Sequence, residues 1–132
     1  MAQRTFFKLF FTVMGIYDVL LGGVFVLFYV SIYAYFKITL PNHPGYIYVP
    51  ALFIIAGGIG EFLLARNLLR NIDLAVLRML MKLSFASAII YSYFRYGVPQ
   101  IFLLISVASI IGIVVTLFFI SWATQENLKL SK

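Results

Sequence analysis

Four ionisable side chains, Asp18, Glu61, Arg78 and Lys82, stand inside runs otherwise suited only to lipid. A charge at the centre of a membrane span costs at least ~2.5 to 3.5 kcal/mol, so such groups pair with an opposite charge, take up a proton, or line a path for ions. Glu61 shares a helical face with Gly57, Gly58 and Ala65, and Asp18 with Gly15 and Gly22, at offsets of three and four residues. Small residues beside an acid let another helix backbone approach closely, so both carboxylates are expected to face protein. Counted from Lys8, Arg70 and Asp73, the residues Asp18, Glu61 and Lys82 lie at one depth, about 13 to 15 Å at 1.5 Å per residue. Two acids and a lysine can therefore meet, with Arg78 a turn nearer the surface. Two readings follow from that: an internal ion-pair cluster that fixes which helix faces meet, or a protonation or cation site near a water-filled inner vestibule.

The remaining inventory excludes most other chemistry. The chain has no cysteine and one histidine, which removes disulfides, thiolate metal sites, cysteine nucleophiles and bis-histidine haem ligation. His43 has no second histidine or clustered acid near it, so a solvated turn residue is the preferred reading over a metal ligand. No catalytic set, cofactor or metal site is expected. A membrane enzyme acting on lipid or quinone would have only Asp18, Glu61 and tyrosines to work with.

These residues are held by a strongly apolar chain. Of 132 residues, 64% are hydrophobic and 11% charged, with a mean hydropathy of +1.05, against roughly 25% charge in an ordinary soluble domain. A spanning helix needs about 20 apolar residues, and four such runs are present, about 9 to 36, 48 to 66, 74 to 95 and 99 to 122. The expected fold is all-α, one integral membrane bundle of four helices with short connections. The first run is too long for a signal peptide and lacks a small-x-small cleavage site, so it reads as an uncleaved span. Gly15, Gly22 and Gly23 mark places for a bend or a close contact in it. Residues 38 to 50 carry three prolines and Asn-His-Pro-Gly, the composition of an external loop. Asp73 is a candidate N-cap for the third span, and Gly97 followed by Pro99 predicts a tight hairpin between spans three and four. Ser106, Ser109, Gly112 and Thr116 form a small, weakly polar stripe of the kind that packs helices. Thr124 to Lys132 reads as a short tail.

Basic residues set the expected topology. Arg4, Lys8, Arg66, Arg70, Arg78, Lys82, Lys129 and Lys132 fall on the side of both termini, against Lys37 and Arg95 opposite, so both termini are expected to be cytoplasmic. The net charge of +6 then reads as attraction to anionic headgroups rather than to nucleic acid. Tyrosine is one-sided as well: Tyr29, Tyr33, Tyr35, Tyr46, Tyr48, Tyr91, Tyr93 and Tyr96 crowd the outer ends of spans one to three. An interfacial belt accounts for this. The sharper alternative is an external aromatic cluster, built from Tyr29, Tyr33, Tyr46, Tyr48, Tyr93 and Tyr96, that holds a ligand or partner.

Four spans, the glycine-flanked acid of residues 15 to 23 (GIYDVLLGG) and the glycine-rich acid of residues 57 to 61 (GGIGE) resemble the small DoxX-like membrane proteins. That resemblance implies an accessory membrane subunit, in some members tied to quinone-linked redox systems or oxidative-stress complexes, in a prokaryotic cytoplasmic membrane. It carries over no catalytic residue. Weighed together, the first expectation is a non-enzymatic accessory or scaffold subunit of a membrane assembly, embedded in the lipid bilayer as a homo-oligomer or within a larger complex. The alternative is a small homo-oligomeric transporter or channel that uses Asp18 and Glu61.

Overall fold

The computed structural model describes residues 1 to 131, and Lys132 lies outside them. The chain forms four helices, α1 (Ala2–Tyr35), α2 (Gly45–Arg66), α3 (Ile72–Tyr96) and α4 (Gln100–Leu130). All four are long and apolar enough to cross a membrane. By composition this is a multi-pass membrane protein.

Two helices outrun their expected limits. α1 starts at Ala2 and runs unbroken through Gly22 and Gly23 for 34 residues, about 50 Å at 1.5 Å per residue. α4 continues through the expected tail to Leu130. Gln, Glu and Lys are good helix formers, and Lys129 Nζ lies 2.7 Å from Glu126 Oε1 one turn away. Asn127 Nδ2 also donates to Leu69 O at 3.0 Å, anchoring this extension to the α2–α3 connection.

The helix ends follow local chemistry. Ile38 N–H donates to Tyr33 O and Lys37 N–H to Ala34 O, the two bonds that close a helix when the next residue turns left-handed. That residue is Lys37, at φ 54. The expected 38–50 loop is shorter than its prolines suggest, since α2 begins at Gly45 and takes Pro50 into its second turn. There the missing N–H of proline removes only one bond, from the carbonyl of Tyr46. His43 Nδ1 accepts the N–H of Gly45 at 3.0 Å, a turn role. Asp73 does not cap α3: the helix starts two residues earlier than expected, at Ile72, after Asn71. The Asn71 side chain instead donates to Leu63 O at 2.9 Å, closing the end of α2. Gly97, at φ 71, ends α3 in the left-handed conformation expected of it.

Adjacent helices run antiparallel. Gly15 meets Gly58 and Gly22 meets Ala51 between α1 and α2, while Phe7 and Phe11 stack edge-on against Phe119 of α4, at ring distances of 5.3 and 4.9 Å. Both termini therefore lie at one end of the bundle. A packed core fills that end, where Phe7, Phe11, Leu64, Leu68 and Phe119 are buried together. Beyond it, towards the α1–α2 and α3–α4 connections, packing loosens and the interior opens.

Candidate functional site

The glycines expected to admit a helix backbone divide their work. A Cβ on Gly58 would meet Gly15 O at 2.8 Å, and one on Gly15 would meet Gly58 O at 2.9 Å, so α1 and α2 do cross backbone to backbone there. Gly57 answers a different need. Its missing Cβ leaves room for the Arg78 guanidinium, and Gly60 lies beside the Arg78 stem, whose Cδ would stand 3.3 Å from an added Cβ. On α4, Gly112 makes the same allowance for Lys82, whose Cδ would stand 3.0 Å from an added Cβ. Two helices, α2 and α4, thus give up side-chain volume to admit two long cations from α3. Of the α4 stripe, Ser106 and Thr116 turn their hydroxyls onto their own helix, to Phe102 O and Gly112 O.

Those cations meet both acids. Arg78 Nη2 lies 2.6 Å from Asp18 Oδ2 and Arg78 Nε 3.4 Å from Glu61 Oε1. Lys82 Nζ lies 3.1 Å from Asp18 Oδ2 and 3.2 Å from Glu61 Oε1. All four side chains are more than nine-tenths buried. Two positive and two negative charges leave the quartet neutral, the condition under which ions can be held away from water. Glu61 is the less satisfied acid: its Oε2 is buried with no hydrogen-bond partner, as is Arg78 Nε, whose approach to Oε1 is too poorly aligned to bond. Arg78 Nη1 finds only the weak acceptor Met81 Sδ, at 3.5 Å.

A cavity of about 320 Å³ lies on the far side of this quartet. Asp18, Arg78 and Lys82 form its polar floor, and Leu21, Phe53 and Phe85 are among its apolar walls. A second cavity of about 230 Å³, bordered by Tyr33, Tyr46 and Phe102, continues it through the shared residues Leu21, Pro50, Ile54, Phe85 and Ile105. Nothing in composition signalled this space. It arises where α2 parts from α3 beyond Gly57, leaving Val49, Pro50 and Phe53 exposed.

Three expectations change here. The vestibule expected on the inner side is on the other half of the bundle, because Phe7, Phe11 and Phe119 fill the end that carries the termini. Arg78 and Lys82, included in the count of basic residues on the side of the termini, are interior groups, so the exposed cations at the termini end are Arg4, Lys8, Arg66, Arg70 and Lys129 among the described residues. The tyrosines do not make one cluster. Tyr29 and Tyr48 form an edge-on pair at 5.6 Å and Tyr33 and Tyr46 border the second cavity, whereas Tyr93 packs on Phe94 and Tyr96 on Tyr91. Among the described residues no group of histidine, cysteine or acid side chains has the arrangement of a metal site.

Compared with known proteins, the chain matches no family model, no curated sequence and no solved structure. What the site can do rests on its own geometry. A neutral buried quartet ties α1, α2 and α3 together. Its Asp18, Arg78 and Lys82 also present hydrogen-bonding groups to an apolar cavity.

Proposed function

We propose that this chain is a non-enzymatic, membrane-embedded accessory or scaffold subunit with both termini in the cytoplasm of a prokaryotic cell, acting as a homo-oligomer or within a larger membrane complex. The quartet is the observation that carries this reading. Four compensating charges, each cation touching both acids, suit a fixed bundle rather than one that cycles through charge states. The orientation rests on five exposed cations at the termini end, Arg4, Lys8, Arg66, Arg70 and Lys129, against Lys37 and Arg95 opposite. DoxX-like kinship belongs to the same proposal, on the two short glycine-and-acid motifs alone. Purification from the native membrane in mild detergent, followed by mass spectrometry, tests it. A stoichiometric larger partner is expected, and a lone dimer that conducts protons would contradict it.

A second reading, a small homo-oligomeric transporter or channel working through Asp18 and Glu61, draws support from the cavity that reaches Asp18. Proteoliposome flux separates the two. If Glu61→Gln abolishes a proton-coupled flux the transporter is favoured. A lowered melting temperature with flux unaltered removes it.

A further inference from the structure

The quartet is neutral but rich in donors. An arginine carries five N–H groups and a lysine three, and both cations gather on Oδ2 of Asp18 and Oε1 of Glu61. N–H groups of Arg78 and Lys82 remain unspent as a result, and Asp18 Oδ1 accepts no hydrogen bond among the described residues. All three side chains border the 320 Å³ cavity, whose size falls within the ~300 to 1,000 Å³ of small-molecule sites. The second cavity extends the apolar volume from this floor towards the far end of the bundle. One end of the space offers donors beside an acceptor, and the rest is mostly hydrocarbon, with Tyr33 and Tyr46 bordering its far end.

We infer that the joined cavities bind one single-chain amphiphile whose head is uncharged and both donates and accepts hydrogen bonds, as a primary alcohol or a primary amide does. The head donates to Asp18 and accepts from Lys82 or Arg78. The aliphatic chain runs outward past Ile54, Phe85 and Ile105. Neutrality decides the class: a cationic or anionic head would leave the buried cluster with an uncompensated charge. A plain alkane would fill the volume but leave the polar floor unmet. The site does not depend on the scaffold reading, since it needs neither a partner protein nor a flux.

The test uses the full chain in phosphatidylcholine vesicles with a photoreactive diazirine analogue of hexadecanol as the probe. Labelling of the cavity walls is expected, displaced by hexadecanol and hexadecanamide and roughly tenfold less readily by hexadecane, hexadecyltrimethylammonium or hexadecanoate, the discrimination of about one hydrogen bond in a dry site. Filling the cavity with Ile105→Trp should abolish labelling while the melting temperature holds, and Ile54→Trp serves the same end should the first variant not fold. Equal displacement by hexadecane would overturn the inference, because bulk acyl chains would then occupy the space without recognition. Equal displacement by the charged amphiphiles, or labelling that survives both tryptophan variants, would overturn it as well.

Discussion

Arg78 Nη2 approaches Asp18 Oδ2 to 2.6 Å across sixty residues of sequence, the shortest contact in the quartet. Lys82 adds a second hydrogen bond to the same oxygen at 3.1 Å, whereas Glu61 holds its cations at 3.2 and 3.4 Å and leaves Oε2 unpartnered. Asp18 is the better satisfied acid, so its loss strands more. Removing one partner of a buried pair costs about 3 to 5 kcal/mol. Asp18→Asn is expected near that figure and Glu61→Gln clearly below it, read as melting temperatures in one detergent. Equal losses would show that the two acids share the cations evenly.

The glycines give a graded series. Gly58→Ala would set a Cβ 2.8 Å from Gly15 O and from a Val19 methyl, and Gly22→Ala 2.6 Å from Ala51 O, where a backbone must shift. Gly23, adjacent in sequence to Gly22, has nothing within 4 Å of its Cβ position. Overpacking costs roughly 1 to 3 kcal/mol, so Gly58→Ala and Gly22→Ala should destabilise by that much. Gly23→Ala should be neutral or raise stability by up to ~1 kcal/mol through helix propensity. Detergent melts of the three variants side by side check the order.

At the termini end, Phe119 is fully buried between Phe7 and Phe11 while its neighbour Phe118 is 69% exposed. Phe119→Ala should cost about 3 to 5 kcal/mol by leaving a cavity in that core. Phe118→Ala should change stability by less than ~0.5 kcal/mol, as an outward position does. The same melts read both, and a large loss for Phe118→Ala would mean that this face is covered by protein.

Much of the frame was legible from sequence because long apolar runs and inward-facing acids are strong signals. Helix count and the shared depth of Asp18, Glu61 and Lys82 come from spacing alone. The helix limits were less legible: α4 keeps its helix through Gln125, Glu126 and Asn127 because a hydrogen bond to Leu69, distant in sequence, holds it there. The role of Asn71 is hidden for the same reason, since its acceptor is Leu63 on the preceding helix. Gly57 and Gly58 look equivalent in a helical projection, yet one faces a guanidinium and the other a backbone. Only the placement of α3 separates them. The cavity was invisible because it is set by where α2 and α3 part, not by any residue type.

A double-mutant cycle between Asp18→Asn and Arg78→Met measures the central claim, that the interior charges exist to neutralise one another. Each single change leaves the quartet with one uncompensated charge, whereas the pair restores neutrality. Melting free energies are expected to couple by about 1 to 3 kcal/mol, with the double variant more stable than the two single losses predict. Additive losses would contradict the account.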